Sequence, residues 1–174
     1  DGSALAVGSY RGEVLVVDGW SGAVLARRKL AESMVKEVAW SADGKTLYAA
    51  EQSPDALVHA MEPADLSSLW TLRLADIVET STAPDAEDLY GVYRLPAAYG
   101  LEVLPDGDLL IAAHHSWKPD GVKKNRSQLL RVTPDGSIRD RWPAEPADVR
   151  LRHPRVDIDS GLVAISVTRN ASGP

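Results

Sequence analysis

The densest local group of residues able to do chemistry is His114-His115-Ser116-Trp117. Imidazoles ligate metals and exchange protons near neutral pH. Successive residues of an extended strand point to opposite faces, so His114 and His115 cannot both face one ion without a bulge. The segment therefore predicts one ring satisfied between packed sheets and one in water. A ligand or acid-base role for either needs partners from elsewhere in the chain, and His59 and His153 add no spacing. Asp157 and Asp159, two apart on one side of a strand, have the placement of calcium-binding carboxylates, but aspartates that shape a turn explain them more simply. Asp43-Gly44-Lys45-Thr46 has the ending of a phosphate-binding loop, yet the earlier glycine such a loop needs is Ala39, and the flanks read as a hairpin. The sequence holds no Gly-x-Ser-x-Gly elbow, His-Glu-x-x-His or dinucleotide glycine fingerprint. No catalytic residue, metal site or cofactor is assigned on this reading, and whether the chain is an enzyme stays open.

Composition narrows the class further. The 174 residues are 44% hydrophobic, enough for a sizeable core. Apolar runs such as Leu109 to Ala113 fall far short of the roughly 20 residues that a spanning helix needs, so no membrane span is expected. A net charge of −6 with interspersed signs offers no basic track for nucleic acid. The absence of cysteine excludes disulfides, thiolate catalysis and cysteine-ligated zinc, and leans toward an exported or periplasmic protein without fixing the compartment. The Ala- and Arg-rich, Phe-free composition points to a bacterial source, and Asp1 reads as an interior start without a leader. Both asparagines lie in sequons, Asn125-Arg126-Ser127 and Asn170-Ala171-Ser172, which predicts surface loops where the source glycosylates.

What must position these residues is a set of short strands. Apolar segments closed by turn dipeptides fill the chain, and no long stretch carries a helical period. One hairpin phrase occurs three times: Val35 to Glu51 around Asp43-Gly44, Tyr99 to Ala113 around Asp106-Gly107, and Arg155 to Val167 around Asp159-Ser160-Gly161. Asp-Gly supplies the positive φ of a tight turn. A second hairpin type alternates with it, in Val14 to Lys29, Leu57 to Leu74 and Gln128 to Trp142. With strands a to d in each unit, residues 3–29 supply b to d, 35–74 and 99–142 supply complete sets, and 153–168 supply a and b. The period of about 40 to 44 residues is that of a four-stranded propeller blade. The expected fold class is all-β: a partial β-propeller of four-stranded antiparallel blades, with residues 1–174 part of one domain. Inner strands such as Ala4 to Val7 and Leu109 to Ala113 are apolar on both faces, as packing between two neighbouring blades requires.

The phrase Val38-Ala39-Trp40-Ser41-Ala42-Asp43-Gly44-Lys45-Thr46-Leu47-Tyr48-Ala49-Ala50 resembles the a-to-b hairpin of WD-repeat-like and YVTN-type bacterial propellers. Val16-Val17-Asp18-Gly19-Trp20-Ser21-Gly22-Ala23-Val24-Leu25 is similar to their c-to-d hairpin and to that of quinoprotein propellers. The resemblance covers most of the chain outside residues 75–98. It departs from the eukaryotic WD pattern, since no Gly-His pair precedes a blade and Val17-Asp18 stands in place of Trp-Asp.

Two insertions interrupt the period, residues 75–98 between strands d and a, and residues 114–126 between strands b and c. Alternating strand direction brings both out on one side of a propeller, and elaborated loops on a rigid scaffold are where binding resides. The first is acidic (Asp76, Glu79, Asp85, Glu87, Asp88) and the second basic (Lys118, Lys123, Lys124, Arg126) beside Trp117, the loop-placed tryptophan. The two could pair across the face, or each could be solvated. The expected binding residues are Trp117, Lys118, Lys123, Lys124, Arg126, His114, His115, Asp85, Glu87 and Asp88. The expected function is a non-catalytic interaction or scaffold module whose partner is a protein or another chain completing the propeller. The alternatives are a quinoprotein-, amine-dehydrogenase- or lactonase-like propeller enzyme subunit with an axial site completed by further blades, and a structural subunit of a larger assembly.

Overall fold

The computed structural model describes residues 2–52, 56–78, 96–117, 124–157 and 159–169. Thirteen strands run in order: β1 (Ala4–Gly8), β2 (Glu13–Asp18), β3 (Val24–Lys29), β4 (Val35–Trp40), β5 (Leu47–Glu51), β6 (Leu57–Met61), β7 (Ser68–Arg73), β8 (Ala97–Val103), β9 (Leu109–Trp117), β10 (Lys124–Val132), β11 (Ile138–Ala147), β12 (Val149–Val156) and β13 (Val163–Arg169). One 3-10 turn, Leu74–Asp76, follows β7. The strands form four antiparallel sheets in chain order, β1-β2-β3, β4-β5-β6-β7, β8-β9-β10-β11 and β12-β13.

Three Asp-Gly turns share one construction, which explains why the repeat is visible in the sequence. The amides of Gly44, Gly107 and Gly136 each donate at 2.9 Å to the carbonyl three residues earlier. The aspartate before each glycine accepts from the amide two residues on, at 3.1 Å for Asp43 and Asp106 and 3.2 Å for Asp135. All three glycines have positive φ, the conformation a side chain disfavours. Asp157, the carboxylate weighed above for calcium, has a similar turn role: it accepts from the amides of Asp159 and Ser160, each at 3.0 Å.

Stacking of successive sheets explains why the inner strands are apolar on both sides. In β5, Leu47 and Ala49 belong to a cluster with Val14, Val16, Met61 and Leu66, toward the first sheet. Tyr48 and Ala50 belong to a second cluster with Ala98, Leu101, Leu109 and Ile111, toward the third. At about 25 cal/mol per Å² of apolar area, such two-sided burial is the dominant favourable term of the fold. Trp70 joins the second and third sheets, its indole N–H donating at 2.8 Å to Pro134 O. The innermost strands β4, β8 and β12 contact one another in turn.

Several boundaries differ from the sequence reading. β1 alternates between part-buried and exposed, with Leu5 54% and Val7 43% exposed, because among the described residues no sheet covers its outer face. β12 begins at Val149 and β11 runs on to Ala147, so the two are separated by Asp148 alone. The described parts of the 114–126 excursion are strand: His114–Trp117 extends β9, and Lys124–Arg126 opens β10, in unbroken register from Lys124↔Trp117 to Val132↔Leu109.

Candidate functional site

The described residues that follow the first interruption and those that flank the second lie at one rim. Ala97, the first residue of β8, pairs with His114 near the end of β9. β8 therefore begins at the rim where β9 ends and β10 begins. Beneath that rim lies a polar network rather than an apolar core.

His114 is its centre, 2% exposed. Its Nδ1 lies 2.6 Å from Ser127 Oγ and its Nε2 2.7 Å from Ser116 Oγ. The Ser116 hydroxyl donates to Asn125 Oδ1 at 2.7 Å, so its oxygen accepts the hydrogen bond from Nε2–H, and Nδ1 accepts from the Ser127 hydroxyl. Asn125 in turn donates to Asp148 through its backbone N–H (3.0 Å) and side-chain amide (3.3 Å), and its Oδ1 accepts from Arg150 Nε at 3.1 Å. The Leu151 amide donates to Ser127 Oγ at 3.4 Å. The network thus ties β9 and β10 to β12 of the next sheet. Burial and the positive charges of Arg152, Arg150, His115 and Lys36 push His114 down to about 3, which keeps the ring neutral at physiological pH.

The same residues meet three innermost strands at Tyr99. Its ring packs edge-on against His114, centroids 5.0 Å apart. Lys36 Nζ of β4 sits 2.9 Å from the Tyr99 ring centre, and Arg152 Cζ of β12 sits 4.6 Å from it. Desolvation drives Lys36 down to about 7, with Arg152 acting in the same direction and Glu37 opposing. The sequence reading missed this group, because its members come from three separate strands and share no motif. A second buried polar pair, Glu51 and His59 at 3.4 Å, lies at the same end of β5 and β6.

The predicted binding residues divide accordingly. His114 and His115 are both 2% exposed, which corrects the expectation of one solvated ring: β9 is covered on both faces by its neighbours, so alternation brings neither ring to water. Trp117 is not in a loop but ends β9, paired with Lys124. Lys124 is exposed, whereas Arg126 is part-buried and donates to Asn125 O at 3.1 Å. Asp85, Glu87, Asp88, Lys118 and Lys123 lie outside the described residues, as does Glu79. Asp76 pairs with neighbouring Arg73 at 2.8 Å. The Asn125 sequon is not a surface site: Asn125 is fully buried and its amide is committed to Asp148. Trp20, at 86% exposure, and Trp142, at 57%, are not packed between sheets, in contrast to Trp70. At the opposite rim, a groove of about 820 Å³ opens between the first two sheets, lined by Val16, Leu25, Trp40, Asp43, Lys45 and Glu62 among others.

No family model matches the chain, and no curated protein matches it. Solved structures do. A chain in the crystal structure of a mitotic checkpoint complex superposes with a TM-score of 0.66 at 17% identity, over 95% of this chain and 44% of that one. The Cps50 (Swd1) beta-propeller domain of Myceliophteria thermophila gives 0.55 at 12% identity, over 95% and 47%. A Bacteroides caccae protein of unknown function gives 0.57 at 14% identity, over 93% and 49%. The chain spans less than half the length of each of these structures. Its four stacked antiparallel sheets, two of them complete four-stranded blades, therefore have the WD-repeat-like β-propeller fold, of which the chain forms a part.

Proposed function

We propose that this chain is a non-catalytic interaction module that binds a protein partner through the rim where the β7-to-β8 and β9-to-β10 connections emerge. The observation that supports the reading is the Ala97↔His114 pairing, by which β8 begins at the rim where β9 ends. A buried network of named hydrogen bonds stiffens the scaffold below, as a binding surface built on connections requires. Basic Lys118, Lys123 and Lys124 on one connection and acidic Asp85, Glu87 and Asp88 on the other supply charge of both signs for a polar partner surface. A photo-crosslinking residue at Trp117 is expected to capture one discrete partner. Reversing Lys118, Lys123 and Lys124 to glutamate is expected to abolish that capture. An equal yield from a crosslinker at Ala42, on the opposite rim beside the groove, would reject the assignment.

A second reading, a structural subunit capped by another chain, is favoured by the uncovered strands at the two outer sheets. Leu5 and Val7 of β1 are exposed, as are Leu162 (70%), Val163 (41%) and Val167 (46%) around β13. Apolar strand faces of this kind drive association. Sedimentation of the 174-residue chain is expected to show self-association, and a stable monomer at high concentration would count against this second reading.

A further inference from the structure

We propose that the inner edge of the blades carries a binding site for a small oxyanion, of phosphate or carboxylate chemistry, held between Lys36 of β4 and Arg152 of β12 over the ring of Tyr99. The site goes beyond the interaction reading and does not depend on it.

The geometry gathers two cations on one aromatic ring, with Lys36 Nζ at 2.9 Å and Arg152 Cζ at 4.6 Å from its centre. Cation–ring attraction favours each contact alone, but two like charges drawn to one ring repel each other in a place where water screens them poorly. Ordinary ion pairing does not resolve this. Among the described residues neither Lys36 nor Arg152 has a carboxylate within salt-bridge distance, whereas Arg131, Arg139 and Arg155 each do. Arg152 Nε is buried and has no hydrogen-bond partner. A guanidinium N–H left unpaired inside a protein is costly, and a carboxylate or phosphate is the acceptor that its fork geometry fits.

The surroundings are consistent with an added negative charge. Arg150 and Arg152 both raise the positive potential at neighbouring His114, as does Lys36. The carboxylates nearby are engaged elsewhere: Asp148 accepts from Asn125, and Glu102 pairs with Arg155 at 3.1 Å and accepts from the Val156 amide at 3.3 Å. Glu37, next to Lys36 in sequence, feels Lys36, His153 and Arg155, and burial raises it above the usual carboxylate range. It supports the charge on Lys36 only in part, since Lys36 itself remains well below an ordinary lysine. An oxyanion bridging Lys36 and Arg152 would restore the lysine charge, give Arg152 Nε its acceptor and remove the repulsion across Tyr99.

The test uses the whole chain, with inorganic phosphate and acetate as separate probes and sodium chloride at matched ionic strength as the reference. The melting temperature of the unmodified protein is expected to rise with phosphate, acetate or both, beyond the chloride reference. A response to phosphate alone assigns a free phosphate-type ligand, and an equal response to acetate assigns a carboxylate. Titration calorimetry should show binding weakened at least tenfold in Lys36→Met and in Arg152→Met, and unchanged in Lys29→Met, whose lysine is exposed. Because Arg152→Met could disturb folding, Lys36→Met provides the second measurement. Without oxyanions it should melt no lower than the unmodified protein, since it removes a desolvated charge, and it should no longer respond to phosphate. The proposal is overturned if neither probe exceeds chloride, or if Lys36→Met binds as tightly as the unmodified chain. It is equally overturned if Lys36→Met melts well below the unmodified protein in oxyanion-free buffer.

Discussion

Alanine at Gly12 is expected to lower the stability of the chain by about 3 kcal/mol, the sum of a left-handed backbone penalty of about 1–2 kcal/mol and an overpacking penalty of similar size. Gly12 has φ +76°, and a Cβ there would lie 1.9 Å from Ala31 O and 2.4 Å from Ser33 O. Both are backbone atoms, so no side-chain rotation relieves the clash. The position cannot shift cheaply either. Gly12 O accepts from the amides of Leu30 (2.8 Å) and Ala31 (3.2 Å), while Ser9 O, in the same turn, accepts from Val35 N at 2.9 Å. The β1-to-β2 turn is therefore the joint on which the chain passes from the first sheet to the second, and displacing it displaces β4. Gly22, with φ +72° and nothing within 4 Å of its would-be Cβ, is the internal reference. Gly22→Ala should cost only the backbone penalty of about 1 kcal/mol. Urea denaturation of the two variants separates the effects, and equal losses would show that the contact with the β3-to-β4 connection contributes nothing.

The contrast between these two glycines also marks what a sequence can disclose. Asp43-Gly44, Asp106-Gly107 and Asp135-Gly136 are legible because the aspartate and the glycine act on their own turn, within a few residues. The two hairpin types follow from those turns, and the stacking follows from strands apolar on both sides. Gly12 looks like any turn glycine until the carbonyls of Ala31 and Ser33 are placed beside it. The candidate site was less legible for the same reason. The Asn125 sequon and the His114-His115 pair suggested surface chemistry, but strand extension carried both into the layer between blades. One signal was available and unused: aligned on their Asp-Gly turns, Glu51 and His114 occupy the same position, so a buried polar residue at the end of that strand recurs in successive blades. Lys36, Tyr99 and Arg152 had no such signal, since a contact between three strands of three sheets leaves no spacing to read.

Unfolding experiments on His114 are expected to show a strong dependence on pH below the ordinary imidazole range. The folded ring titrates at about 3 against an ordinary 6.5, with burial as the main cause. Above pH 6.5 neither the folded nor the unfolded state binds a proton there, so the contribution of the neutral ring is fully present. As pH falls below 6.5, the unfolded chain takes up a proton that the folded protein refuses, and stability declines by about 1.4 kcal/mol per pH unit until the folded ring itself protonates near pH 3. The exposed turn aspartates whose affinity for protons is lowered, Asp43, Asp106 and Asp135, act only below the ordinary carboxylate value, whereas Glu37, raised by burial, takes up its proton earlier in the folded protein and offsets part of the imidazole slope in the window from pH 6.5 to 5. His114→Gln keeps a polar side chain and cannot titrate, so it should flatten the slope in that window. His114→Ala should cost about 2–4 kcal/mol at neutral pH, because it opens a cavity and strips Ser116 and Ser127 of their shared partner. An undiminished slope in His114→Gln would place the proton elsewhere and remove the ring from the role of buried neutral brace. If the slope does flatten, loss of partner binding in a His114 variant reports a weakened scaffold beneath the rim, and contact at the face is better read from exposed Lys124, whose replacement leaves the network untouched.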